Sequence, residues 1–126
     1  MKKRCSTRLY VIKFWLPEGV RYKVGYTSKT VPYRLMQILT SFILVHGYSP
    51  KAKIVKDEPL LGAYAVEQLV HKQLGKYRCA QDSLISGGTE FFSCTMEEID
   101  VAYAIVSANN GVPIDIVDGY VRTLLY

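Results

Sequence analysis

Cysteine is scarce in this chain, long apolar runs are missing, and the first two-thirds hold almost no acid. The three cysteines, Cys5, Cys79 and Cys94, form an odd set without C-x-x-C spacing. That argues against a disulfide framework and a zinc motif, and predicts free thiols in a reducing compartment. No stretch approaches the roughly 18 uninterrupted apolar residues of a membrane-spanning helix. The opening MKKRCSTR leads into a strand-like run instead of a signal peptide's apolar region followed by small residues. The expectation is a soluble protein of the cytoplasm with no membrane partner. There is no internal repeat and no low-complexity tract. What is present, 126 residues of which 49% are apolar, is one domain able to fold on its own core.

The charge is unevenly spread. Residues 1–81 carry fifteen lysines and arginines against Glu18, Asp57, Glu58 and Glu67, whereas residues 82–126 carry seven acids against Arg122 alone. A basic body with an acidic C-terminal segment suits a polyanionic partner, because Lys and Arg on phosphates release counterions and supply most non-specific affinity for nucleic acid. The acidic segment is expected either to lie away from the DNA-binding face or to fold over it as a brake.

Leu9 to Leu16 is apolar on both faces apart from Lys13, which predicts a strand inside a sheet, broken by Pro17-Glu18-Gly19. Val20, Tyr22, Val24 and Tyr26 alternate with Arg21, Lys23, Gly25 and Thr27, the period of a half-buried strand. A four-residue loop over Trp15 to Glu18 would set Tyr10 opposite Lys23 and put both on one face, with Tyr26 in the core on the other. Thr27, Ser28 and Thr30 offer N-caps for a helix from Val31 to about Val45, with Pro32 in its first turn. Lys51 to Asp57 reads as a charged edge strand. A second helix follows Pro59 and runs to about Arg78, with Val66, Leu69, Val70, Leu74 and Tyr77 on its core stripe. Glu90 to Cys94 is a short strand or extended segment. Thr95 and Glu98 form a capping box for a third helix, Met96 to Asn109. Asp118-Gly119 marks a small hairpin or a short helix in the last residues.

One ordered set of residues carries chemistry: Tyr10, then Lys23-Val24-Gly25-Tyr26-Thr27, Arg34, Glu67 with His71 four residues on, and Gly87-Gly88-Thr89-Glu90-Phe91-Phe92. In that order, over residues 8 to 94, the chain resembles the GIY-YIG nuclease superfamily, and within it the phage-associated branch that has Lys-Val-Gly for Tyr-Ile-Gly and closes with Gly-Thr-Glu-Phe-Phe. Arg8-Leu9-Tyr10-Val11 lacks the glycine of the family's first strand motif, and Glu90 stands where many members carry Asn or Gln.

The resemblance implies an α/β domain over residues 1–110, with a small three-stranded, mixed or mostly antiparallel sheet flanked by helices, and 111–126 as a C-terminal extension. It implies a DNA endonuclease or nickase of a bacteriophage or mobile element, dependent on a single Mg²⁺ or Mn²⁺ and working in the cytoplasm of a bacterial host. Glu67 is the expected metal ligand. Arg34 is expected to hold the scissile phosphate with its fork, and Tyr10 to take the proton of the attacking water. Lys23 would touch phosphate and place positive charge near the phenol. His71, one helical turn from Glu67, would hold Glu67 in place, shuttle protons or serve as a secondary metal ligand. Lys23, Lys29 and Arg34 are the expected DNA contacts. Glu90 would bond the first strand's backbone, help hold the metal or lock Phe91-Phe92 in place. Because no separate DNA-reading module is recognisable, specificity would come from the domain's own loops, from a homodimer or from a partner. A catalytically silent DNA-binding domain and a protein-interaction module that inhibits a host factor are the competing readings.

Overall fold

A hairpin is the centre of the structure. β1 (Arg8–Leu16) and β2 (Gly19–Thr27) pair antiparallel along their whole length, from Arg8 opposite Thr27 to Leu16 opposite Gly19. The computed structural model describes residues 7–60, 63–79 and 91–110; the hairpin or helix expected around Asp118-Gly119, Cys5 and Glu90 lie outside them. Only Pro17 and Glu18 connect the strands, where a four-residue loop was expected. Gly19, at a φ of +130°, makes the tight reversal possible in a conformation that a side chain rarely allows. Trp15 and Leu16 thus stay in the ladder: Lys13 and Lys51 each hold an ammonium 4.8 Å from the centre of the Trp15 ring, and Leu16 is buried.

The tighter turn moves the register by two residues. Tyr10 lies opposite Gly25 and Ile12 opposite Lys23, so Tyr10 and Lys23 still share a face.

Among the described residues the sheet is entirely antiparallel and has four strands, not three, in the order β3-β1-β2-β4. β3 (Lys51–Pro59) is the lysine-bearing edge, paired to β1 with a bulge between Val11 and Ile12. The added strand, β4 (Phe91–Phe92), is two residues long and pairs with Tyr22 and Lys23 of β2. Its two rings divide between the faces, Phe91 into one core and Phe92 into the other. That burial turns an extended segment into a strand.

Both faces are covered, so β2 is not half-buried. On one face α1 (Val31–His46) packs Val31, Ile38 and Phe42 against Tyr10, Ile12, Phe14, Leu16 and Phe91. Thr30 caps it, its hydroxyl accepting the Tyr33 N–H at 3.2 Å. On the other face α2 (Ala63–Gln73) and α3 (Met96–Asn110) pack against Leu9, Val11, Tyr22, Val24 and Phe92. α2 stops short of Arg78 and gives way at Leu74 to a 3-10 turn, Gly75–Tyr77. α3 begins with the expected capping box: Thr95 N–H donates to Glu98 Oε1 at 2.8 Å, and Glu98 N–H to Thr95 Oγ1 at 3.1 Å. Among the described residues no helix is long and apolar enough to cross a membrane.

Candidate functional site

Tyr10 projects from β1 into the α1 face and is fully buried. Its ring crosses the strand opposite and lies over Gly25: a Cβ built at Gly25 would fall 2.5 Å from the phenol oxygen and 2.7 Å from Cζ. No side chain fits there, and the glycine of the Lys-Val-Gly motif is the space that the phenol occupies.

Arg34, half-buried one turn into α1, donates Nε–H to the Tyr10 hydroxyl oxygen at 3.2 Å, while its Nη1 reaches Gln37 Oε1 at 3.3 Å. Lys23 was expected on a polar face. It is fully buried, with Nζ 5.8 Å from the Tyr10 ring centre and 6.0 Å from that of Phe91. A guanidinium and an ammonium thus stand near one phenol.

Lys29 is exposed in the turn between β2 and α1, where its N–H bonds Thr27 Oγ1 at 3.0 Å and its Nζ stands 5.9 Å from the centre of the Tyr33 ring.

Glu67 and His71 belong to the other layer. On α2 they extend the buried stripe of Ala63, Val66 and Val70. Glu67 is 1% exposed, and Gln68 Nε2 donates to its Oε1. His71 Nε2 lies 2.6 Å from the carbonyl oxygen of Val24 and its Nδ1 lies 3.9 Å from Glu67 Oε1. A carbonyl can only accept, so Nε2 carries a proton and Nδ1 is the nitrogen turned to the carboxylate. The Phe92 ring packs 5.2 Å away, centre to centre. The backbone of β2 joins the two sets: Lys23 and Gly25 face Tyr10, and the carbonyl of Val24 between them holds His71.

Behind Glu67 stands Tyr103 of α3, fully buried, its hydroxyl without a hydrogen-bond partner among the described residues. Burial first, then the negative charges of Asp100, Glu67 and Glu58, push its pKa up, so it stays a neutral phenol.

Among the described residues no three His, Cys, Asp or Glu gather into a group able to hold a metal. Within those residues the donor set at Glu67 is one carboxylate beside one imidazole.

A family model, the T5orf172 domain, matches residues 7–107, from the start of β1 into the last turns of α3. The chain belongs to the T5orf172 domain family. The T5orf172 domain is phage-associated, occurs in endonuclease-like proteins and is nuclease-like or DNA-binding in character. The match takes in every element described above, including both Tyr10 with Arg34 and Glu67 with His71. No curated protein and no solved structure matches the chain.

Three features of this T5orf172 domain are not apparent in its sequence. Tyr26 keeps to the face of Tyr22 and Val24 but is not in the core: it is 37% exposed and meets Tyr64 edge to face, ring centres 5.2 Å apart. Tyr64 and Gln68 carry no spacing signal. The fit of Gly25 under Tyr10 does have one, a glycine inside a strand, which marks a close approach without saying of what.

Proposed function

We propose that this domain is a DNA endonuclease or nickase of the GIY-YIG type, from a phage or mobile element, that hydrolyses phosphodiester bonds with one divalent cation. The observation that carries the reading is the Arg34 Nε–H to Tyr10 Oη bond, with the phenol held over Gly25 and Lys23 beside it. Arg34 would turn its fork to two oxygens of the scissile phosphate, where planar bidentate donors offset the charge that develops. Tyr10, acting as a phenolate beside the guanidinium, takes the proton of the attacking water at Oη. Lys23 adds to the positive field, and Lys29 touches flanking phosphates.

The donor set fits a hard cation of the Mg²⁺ type, which is commonly held by one or two carboxylates, with waters and substrate phosphate completing its shell. Glu67 would hold it and His71 would orient the carboxylate. Once bound, the cation would neutralise charge on the phosphoryl oxygens and assist the leaving oxygen. The phage association of the family and its nuclease-like character support the same reading.

A second reading has its own observation: Tyr10 and Lys23 are fully buried. In a catalytically silent DNA-binding domain they would serve to tie α1 to the sheet. A supercoiled plasmid incubated with the protein and Mg²⁺ or Mn²⁺, with and without EDTA, separates the two. Relaxed circles or linear product only without EDTA are the outcome of the nuclease. DNA retained in a gel shift but left uncut with either metal is the outcome of the silent domain.

A further inference from the structure

Three exposed tyrosines lie close in sequence to residues proposed to act in the site. Tyr26 directly follows Gly25, Tyr33 directly precedes Arg34, and Tyr64 lies three residues before Glu67 on α2. Their exposures are 37%, 50% and 57%. The Tyr26 and Tyr64 rings meet at 72° with centres 5.2 Å apart, an arrangement in which each ring props the other at the surface. Lys29, in the turn that joins Tyr26 to Tyr33, holds its ammonium 5.9 Å from the centre of the Tyr33 ring.

The stretch of chain that carries Tyr26 and Tyr33 has one sign of charge. From Gly19 to Lys56, through β2, α1 and most of β3, the chain contains seven lysines and arginines and no acid. Exposed aromatic rings interleaved with cations along such a stretch match a nucleic-acid strand better than a protein surface. The cations follow the phosphates and the rings take up base faces. In duplex DNA those faces are already stacked on neighbouring pairs, so rings at the surface have nothing to receive unless a base is unpaired.

We infer that Tyr26, Tyr64 and Tyr33, with Lys29 between them, form a stacking platform for unpaired bases, so that the substrate is single-stranded or branched DNA at the point of contact. This rests on the nuclease reading for the placement of the platform beside the site, but it is tested apart from cleavage.

Fluorescence anisotropy in EDTA, at fixed salt, would compare one labelled oligonucleotide as single strand, as fork and as full duplex. The single strand and the fork are expected to bind at least about tenfold more tightly than the duplex. The Tyr26→Ala/Tyr64→Ala protein should lose about five- to hundredfold on the single strand, with less than about twofold change on duplex, where backbone charge dominates. The Tyr26→Phe/Tyr64→Phe protein keeps the ring faces and should bind like the parent, which separates stacking from loss of fold. Equal or tighter binding to duplex, or an equal loss on both forms by the alanine protein, would overturn the inference. A protein that nicks plasmid without preferring unpaired DNA keeps the nuclease reading and loses this one. A protein that prefers unpaired DNA through these tyrosines and never cuts does the reverse.

Discussion

The phenol of Tyr10 occupies the space that a side chain at residue 25 would need, since a Cβ there would stand 2.5 Å from its oxygen. The two positions are therefore coupled across the hairpin. Gly25→Ala should destabilise the fold by about 1–3 kcal/mol, the usual cost of overpacking a close-packed interior, and should displace the phenol from Arg34. Tyr10→Leu withdraws the atoms that clash. In a double-mutant cycle by urea unfolding, the combined loss should be smaller than the sum of the single losses by about 1 kcal/mol or more. Additive losses would mean that the strand shifts to admit the methyl group.

Glu67→Gln keeps the volume of the side chain and removes its charge. Metal-dependent plasmid cleavage should disappear, while circular dichroism and affinity for DNA in EDTA stay near those of the parent. Full cleavage by this protein would remove Glu67 from the proposed role. His71→Asn, which still offers a donor but no longer bridges Val24 and Glu67, should raise the Mg²⁺ concentration needed for half-maximal rate, by about ten- to hundredfold if His71 orients the carboxylate.

Much of the fold was legible because it rests on local signals. Thr30 and Thr95 with Glu98 announced two helix starts, and the apolar run of β1 announced a central strand. The misreadings have physical causes. Trp15 and Leu16 are held in the ladder by two ammonium groups and by burial, contacts from residues distant in sequence, and so the loop is shorter than the Pro-Glu-Gly signal suggested. Tyr26 obeys its alternation but lies where α2 brings Tyr64 and not a closed core. The alternation also could not show that Lys23 lies in a buried layer, because period two gives the face of a strand and not what covers it. Of the candidate site, the order of residues supplied the members. The geometry supplied how they are arranged: Arg34 on the phenol, His71 on a backbone carbonyl, and the layer from which each approaches.

Affinity for DNA should fall steeply with salt. A plot of log K against log[salt] has a slope of about −0.7 for each phosphate contact with a single strand. Lys29→Ala should make it shallower by about one contact while leaving the protein's melting temperature close to the parent's, because Lys29 is exposed in a turn. Binding indifferent to salt, by a folded protein, would favour a protein partner over DNA.

The start of α3 should respond to acid. Glu98 accepts hydrogen bonds from Tyr77, from the Thr95 backbone and from the Thr95 hydroxyl, and these hold its carboxyl below the usual carboxylate range, Tyr77 contributing most. A carboxyl with a lowered folded pKa stabilises above its unfolded pKa of about 4.3, and that contribution is lost as pH falls through the folded value. Thermal melting from about pH 6 down to pH 3 should therefore show a decline that is partly flattened in Glu98→Gln, with no difference in slope at neutral pH. Parallel curves for the two proteins would show that the capping box carries no acid-labile stability.

The two-residue turn at Pro17-Glu18 also sets an arithmetic for how this hairpin can change over descent. Side chains of a strand alternate between faces, so adding or removing an even number of residues there slides β2 along β1 and leaves each face its own members. An odd change would send Lys23 and Gly25 to the layer of α2 and bring Tyr22 or Val24 to meet the phenol. Length variation at this turn is thus filtered by parity, and relatives should differ there by none or by two.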